Sequence, residues 1–350
     1  MTTAQTRRSH WRNGLFVGLA GLVLLLIVDA LVRDATTPRG DDRIYELMAQ
    51  EPFDTHSFPF AFRLLVPTLV YLSPAGNGFD FSVLAWVSSA ACGTVAYVLM
   101  RRFEIVPWLA AALALCLVLC PQMLVASLRQ GRNIDPETVL VMLAGGLAVA
   151  DRRPLALGVI VFLGVMVRES ALFLVPFAYI YWAESVIDRR AAVQVIGAAL
   201  PAVVFYAVLR GVIPTVGGYE SGLKARFDVI EGMLDGEPLT ELRRIAIVFG
   251  PLWLAAPFAL RDLRYARAGL VLIACCLVSF TFAGDWARVL LLAAPVIYVS
   301  AGHVLSSRRR LAIAAVMVFA AIEIAYAVYM HTHGVEANII NGPLPDYPVR

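Results

Sequence analysis

Two adjacent carboxylates, Asp41 and Asp42, follow the turn residue Gly40 in a polar segment near the start of the chain. An ionised carboxylate can act as a general base that takes the proton of an attacking hydroxyl. Asp41 stands where a helix N-cap is expected, and a carboxylate that accepts backbone N–H bonds is a weaker base. We therefore expect Asp42 to be the base. The alternative is a capping carboxylate beside solvated charges, without catalysis.

Arginines beside acidic residues at the ends of apolar runs could bind a phosphate group, because the planar guanidinium donates two parallel hydrogen bonds. The main candidates are Arg168, which precedes Glu169, and Arg288, which lies one helical turn after Asp285. Each arginine could instead reach the membrane surface or pair with its local acid. The other basic candidates on the same face are Arg129 and Arg132.

The sequence spacing does not indicate a metal site. All five cysteines lie inside apolar runs, where a thiol packs as a small hydrophobic group. His331 and His333 are close together near the end of the chain, but they would need distant ligands to hold a metal. No metal ligand and no certain cofactor are therefore predicted, and a divalent metal stays an open alternative.

Composition decides what kind of protein holds these groups. The chain of 350 residues is 60% hydrophobic and 16% charged, with a mean hydropathy of +0.74. Soluble domains average about 45–50% apolar and about 25% charged residues, so a soluble enzyme and a disordered protein are excluded. The net charge of +3 is too small to indicate a nucleic-acid partner. The chain is predicted to be an all-α, polytopic integral membrane protein.

A membrane span needs about 20 predominantly apolar residues. Apolar runs predict about eleven transmembrane helices in a single transmembrane domain, 1–350. The predicted spans are 14–32, 82–100, 106–127, 137–150, 154–167, 170–183, 191–213, 245–260, 268–283, 289–305 and 311–330.

The distribution of arginine and lysine predicts the orientation. Basic residues are densest in the short loops of one side, so the N-terminus is predicted to be cytoplasmic and the C-terminus outside. Two longer loops, 33–81 and 214–244, then lie on the outer face. Within the first of them, 61–73 is predicted to be a juxtamembrane helix, because its length would reach only about 20 Å. The predicted location is the plasma (inner) membrane of a bacterium.

The order of these features resembles the GT-C superfamily of polytopic membrane glycosyltransferases, such as the protein O-mannosyltransferases and the aminoarabinose transferases. The similarity covers residues 10–185 and is carried by DDRIYELMA, by PFAFRLLVPTLVYL and by a span that ends in Arg101-Arg102. Asp41 and Asp42 match the acidic pair of the family, and Tyr45 matches the aromatic residue that follows it.

Two later positions also resemble the family pattern. Asp135 matches an aspartate that opens a later span, and Arg168-Glu169 matches a basic-then-acidic break between spans. The chain departs from the family in having Arg168 where a lysine is usual. It also has Ser57-Phe58-Pro59-Phe60 where the family has two prolines.

The resemblance implies a membrane glycosyltransferase that moves a sugar from a polyprenyl-phosphate donor to a lipid or glycan acceptor at the outer face. Asp42 or Asp41 would be catalytic, and apolar helices in the lipid bilayer would hold the isoprenoid tail. The alternatives are a lipid or polymer transporter (a flippase) and a non-catalytic GT-C-like subunit. The residues expected to bind substrate are Tyr45, His56, Arg129, Arg132, Arg168, Glu169, Asp285 and Arg288.

Overall fold

The computed structural model describes residues 3–32, 41–74, 77–129, 133–216, 231, 238–281 and 286–333. Helices account for most of these ranges, so the prediction of an all-α protein is confirmed. The strands within the described ranges are His56–Ser57 (β1) and Thr215–Val216 (β2), which pair in parallel.

Prolines mark the start of several helices in the first two thirds of the chain. A proline in the first helical turn gives up no hydrogen bond there and has a helical φ already. The α-helices are α1 (Thr3–Val32), α2 (Asp41–Gln50), α3 (Leu65–Tyr71), α4 (Asn77–Arg102), α5 (Pro107–Leu119), α6 (Pro121–Leu124), α7 (Asp135–Ala150), α8 (Pro154–Val167), α9 (Leu174–Trp182) and α10 (Arg189–Val212). Short 3₁₀ turns cover Phe60–Phe62 and Glu169–Phe173, and a π-helical turn covers Val125–Arg129.

The last third of the chain continues in the same way. Its helices are α11 (Pro238–Phe249), α12 (Leu252–Ala255), α13 (Arg264–Ser279), α14 (Trp286–Leu291), α15 (Ala294–Ser306) and α16 (Arg309–His333), with a 3₁₀ turn at Ala256–Leu260.

Among the described residues, four helices are long and apolar enough to cross a bilayer, and two bent pairs could add one span each. The total is therefore four to six, and the prediction of about eleven spans is not supported. The long helices are Arg8–Val32, Phe79–Arg102, Arg189–Val212 and Arg309–Thr332; the bent pairs are Pro107–Leu119 with Pro121–Leu128 (48°) and Leu242–Phe249 with Leu252–Leu260 (80°).

Helix length explains why the apolar runs overcounted the spans. The run predicted at 137–150 belongs to α7, which has 16 residues, and the run at 154–167 is α8, which has 14. At about 1.5 Å per residue, neither reaches across the roughly 30 Å hydrocarbon core. A helix that is apolar on all sides can also be one that is buried in protein, and much of α7 is buried.

Two hydrophobic cores hold the helices together. The larger core lies within the bundle and includes Cys92, Leu113, Met142 and Tyr298 on α4, α5, α7 and α15. The smaller core packs the face of α2 against α3, the turn at Phe60–Phe62 and the chain after α10.

Candidate functional site

Helix α2 brings the acidic pair to the smaller core. The sequence DRIYELMA predicts an amphipathic helix with Ile44, Leu47 and Met48 on one side. The buried face of α2 carries Ile44, Tyr45 and Met48, whereas Leu47 is 37% exposed. Asp41 is the first residue of the helix and is partly exposed. Asp42 is only 4% exposed, so it does not face open solvent.

A network of charges surrounds Arg288 of α14. We call Asp41, Asn133, Asp135, Arg168 and Arg288 the charged cluster. The Arg288 guanidinium donates from Nε to Oδ2 of Asp135 at 2.5 Å and from both terminal nitrogens to Oδ2 of Asp41 at 3.2 Å. One terminal nitrogen also donates to Oδ1 of Asn133 at 3.0 Å. Arg168 donates to the other oxygen of Asp135, Oδ1, at 3.0 Å.

The charged cluster draws on four separate parts of the chain. Asp41 begins α2, Asp135 begins α7, Arg168 stands at the break between α8 and the next turn, and Arg288 lies on α14. The break at Arg168 is extended backbone, with φ −160° and ψ 136°, which ends α8 and directs the side chain away from the helix ladder. Residues that are 247 positions apart in sequence therefore meet in one ion pair.

Burial and charge are balanced within the cluster. The side chains of its two arginines and two aspartates are between 6% and 17% exposed. Burial alone would raise the pKa of Asp135, but the charges of Arg288 and Arg168 outweigh it and lower the pKa. Two positive and two negative side chains leave the cluster with no formal net charge.

A second network adjoins the charged cluster. Arg63, at the end of the Phe60–Phe62 turn, donates to both carboxylate oxygens of Glu169, at 2.8 and 3.2 Å, and to the Tyr45 hydroxyl at 2.9 Å. Burial would raise the pKa of Glu169, but Arg63 and Arg168 together lower it. Burial raises the pKa of the Tyr45 hydroxyl, so this group remains a neutral hydrogen-bond partner.

The structure brings together five of the predicted site residues: Asp41, Tyr45, Arg168, Glu169 and Arg288. His56 is engaged elsewhere, because its Nε2 atom lies 2.7 Å from the carbonyl oxygen of Glu51. The side chain of Arg129, together with Arg132 and Asp285, lies outside the described residues. A local pair between Arg288 and Asp285 therefore stays a prediction.

Sequence reasoning missed Arg63 and Asn133, and it assigned Asp135 no specific partner. A signal for Arg63 was present, because it is the sole charged residue between Ser57 and Phe79 in an apolar segment. A lone cation in such a segment needs a partner, which here is Glu169. Asn133 gave no comparable signal, because an isolated amide in a loop is common.

A half-open cavity of about 520 Å³ lies apart from these networks. Its lining contains none of the predicted site residues. It is lined by Phe103, Glu104, Phe258, Arg261, Asp262, His303, Val304, Ser306, Ser307 and Arg308. By the predicted orientation, these residues belong to the cytoplasmic end of the bundle.

Among the described residues, no group of three or more histidine, cysteine or acidic side chains is arranged to hold a metal ion. Comparison of the sequence with protein-family models and with curated proteins finds no match.

Proposed function

We propose that the protein is a membrane glycosyltransferase that moves a sugar from a polyprenyl-phosphate donor to a lipid or glycan acceptor. The observation that supports this most is the meeting of Asp41, Arg168 and Arg288 in one charged cluster. The proposed setting is a GT-C-like integral membrane protein of a bacterial inner membrane, with the cluster at the outer face, the N-terminus in the cytoplasm and the C-terminus outside.

The reaction needs a base and a cation within reach of each other. The acceptor oxygen forms a bond to the anomeric carbon while the bond from that carbon to the phosphate oxygen breaks. The acceptor proton passes to a carboxylate, and the polyprenyl phosphate leaves as a monoester that gains negative charge. A guanidinium beside the leaving phosphate stabilises that charge.

Asp41 is the better placed of the two carboxylates. Its side chain is 17% exposed and lies against Arg288, whereas Asp42 is 4% exposed on the same helix. Helix capping favours Asp42 as the base, whereas the exposure of the two side chains favours Asp41. In the proposed enzyme, the hydrogen bonds from Arg288 hold the Asp41 carboxylate in place.

Arg168 is the better placed of the two arginines for the donor phosphate. Arg288 donates from Nε and from both terminal nitrogens to three different residues. Within the described part of the chain, the ion pair with Asp135 uses a single nitrogen of Arg168. The remaining N–H groups of Arg168 can therefore bind a phosphate oxygen without breaking its ion pair.

The test compares lipid extracts from cells that lack the gene with extracts from complemented cells. The deletion should accumulate a polyprenyl-phosphate sugar, and the wild-type gene should remove it. Asp41→Asn should restore little transfer, because loss of a general base costs about 10²–10⁴ in rate. Arg43→Gln, an exposed position on the same helix, is the matched control and should restore transfer. Unchanged lipid-linked sugars in the deletion would exclude the proposed function.

A lipid or polymer transporter is the second candidate, and the two bent helix pairs favour it. Transporters often build their binding sites from broken helices near the middle of the membrane. The bends of 48° and 80° are of that kind. A transporter would move its lipid unchanged across vesicles of purified protein, while a glycosyltransferase would convert it. A non-catalytic subunit would do neither, and its Asp41→Asn variant would behave as the wild type.

A further inference from the structure

Arg210 lies near the end of α10 with its guanidinium over three aromatic rings. The distances from its Cζ atom to the ring centroids are 5.2 Å for Phe58, 5.7 Å for Phe62 and 5.9 Å for Tyr206. The rings also contact one another edge to face, at 5.9 Å between Phe58 and Phe62 and 5.8 Å between Phe62 and Tyr206. We call these three rings and Arg210 the aromatic nest.

Arg210 differs from the other arginines near the site because its charge is not neutralised by a carboxylate in the described ranges. Arg63, Arg168 and Arg288 each form an ion pair with a carboxylate. Within the described ranges, Arg210 has the faces of aromatic rings as its partners and no carboxylate, and its side chain is exposed. Ring faces attract a cation but do not neutralise it, so Arg210 keeps a full charge to offer an anion.

The position of the aromatic nest at the end of a lipid-facing helix indicates which kind of anion Arg210 would bind. Helix α10 is one of the four long apolar helices, and only 17% of its apolar window is buried within the protein. Val203, Val204, Val208 and Val212 are between 47% and 72% exposed on this helix. Such a surface suits the acyl or isoprenoid chains of lipids. Arg210 sits at the end of it, where the polar group of a lipid would lie.

The aromatic nest adjoins the proposed reaction site. Phe62 of the aromatic nest directly precedes Arg63, and the charges of Glu169 and Arg63 both act on the Tyr206 hydroxyl. The strand pair of His56–Ser57 with Thr215–Val216 holds the segment before Phe58 against the segment after Arg210. A lipid chain that follows α10 would therefore bring its phosphate first to Arg210 and then to the networks of Arg63 and Arg168.

We infer that Arg210 and the aromatic nest form a binding site for the phosphate of a membrane lipid, at the point where the lipid enters the site. This inference rests on the proposed function only for the identity of the lipid, which would be the polyprenyl-phosphate donor. The guanidinium supplies the charge, and the rings fix its plane and exclude water from one side. Binding does not depend on whether a sugar is later transferred.

The test measures binding of lipids to the purified full-length protein in detergent. The probes are a long-chain isoprenyl monophosphate, the isoprenyl alcohol of the same length, phosphatidylglycerol and inorganic phosphate. Arg210→Gln should weaken binding of the isoprenyl phosphate by about 10- to 100-fold, since a charge-assisted hydrogen bond is lost. It should leave binding of the alcohol unchanged. Arg210→Lys should fall between the two, because it keeps the charge without the planar fork.

The matched control is Arg189→Gln, an exposed arginine at the other end of the same helix, which should bind as the wild type does. If Arg210→Gln weakens binding of phosphatidylglycerol as much as binding of the isoprenyl phosphate, the site binds ordinary phospholipids. That result would still support a lipid-phosphate site at Arg210. Wild-type affinity of Arg210→Gln for the isoprenyl phosphate would overturn the inference. So would an equal loss of alcohol binding, which would make Arg210 a structural residue.

The lipid-binding measurement on Arg210→Gln and the lipid-extract test of the glycosyltransferase proposal can succeed or fail separately. If Arg210→Gln loses phosphate binding while the deletion cells show no change in lipid-linked sugars, the aromatic nest stands and the glycosyltransferase proposal fails. If the deletion cells accumulate the sugar donor while Arg210→Gln binds it normally, the opposite conclusion holds.

Discussion

The charged cluster and the aromatic nest hold arginines at neighbouring places in two different ways. Arg288 is 15% exposed and is compensated by Asp41 and Asp135. Arg210 is exposed and rests on ring faces. Removing a partner from the cluster leaves a buried charge, whereas removing Arg210 leaves only apolar rings. Removing a partner from the cluster should therefore cost more stability than removing Arg210.

The largest effect is expected from Asp135→Asn. This change leaves Arg168 and Arg288 buried with one carboxylate fewer, and breaking a buried ion pair costs about 3–5 kcal/mol in the free energy of unfolding. Thermal unfolding of the purified protein in detergent measures it. The matched control is Asp151→Asn, whose partners Arg102 and Arg153 are 53% and 55% exposed. That pair should contribute about 0–1 kcal/mol. Equal losses for both variants would contradict the distinction.

Acidic pH should have the next largest effect, on the charged cluster and on the adjoining network of Arg63. The pKa values of Asp135 and Glu169 are lowered in the folded protein by the neighbouring arginines, against the opposing effect of burial. Both groups therefore add stability above their unfolded pKa values of about 4, and this stability is lost as the pH falls through the lower folded values. The free energy of unfolding, followed from pH 6 downward, should decline less in Asp135→Asn than in the wild type. Parallel curves would show that Asp135 does not carry this dependence.

An intermediate effect is expected from Arg63→Met. The methionine keeps much of the apolar contact but leaves Glu169 and the Tyr45 hydroxyl without their donor. The expected loss is about 1–3 kcal/mol, which is the cost of an unsatisfied buried polar group. It should be smaller than for Asp135→Asn, because the Glu169 side chain is 35% exposed and can recruit water. The double variant Arg63→Met with Glu169→Gln should recover part of the stability, and no recovery would show that the two side chains are not coupled.

The smallest effect on stability is expected from Arg210→Gln. An exposed contact between a cation and an aromatic ring contributes about 0.5–1 kcal/mol, so unfolding should change little. The same unfolding assay measures this variant beside Asp135→Asn. A loss as large as that of Asp135→Asn would remove the difference between the two regions.

The spacing of residues in the sequence predicts those parts of the site that lie within one segment of the chain. The period of a helix predicts α2 and the burial of Ile44 and Met48. The same pattern wrongly places Leu47 on the buried face, where Tyr45 lies instead. The apolar runs place Arg168 and Glu169 between predicted spans that end at 167 and begin at 170; α8 does end at Val167, and a 3₁₀ turn begins at Glu169.

Partners from distant segments could not be predicted in this way. Asp285, the sequence neighbour of Arg288, lies outside the described residues; within them, the partners of Arg288 are Asp41 and Asp135 from distant segments. Arg63 lies within the juxtamembrane helix predicted at 61–73, and its partner Glu169 comes 106 residues later in the chain. Such pairs depend on how the helices pack, and no local period encodes them. The span count failed for the same reason, since burial in protein and burial in lipid use the same residues.

The pairing of Asp41 with Arg288 also sets the order in which the molecule can be completed during its synthesis. The two residues are 247 positions apart, and translation proceeds at about 5–20 residues per second, so about 10–50 s separate their emergence from the ribosome. During that interval the growing chain carries Asp41 without Arg288, and in its second half Arg168 is the sole arginine of the cluster beside Asp135. The site therefore closes only when α14 arrives. Chains that stop before α14 should be recognised as unfinished by proteases of the membrane, however well their earlier helices have inserted.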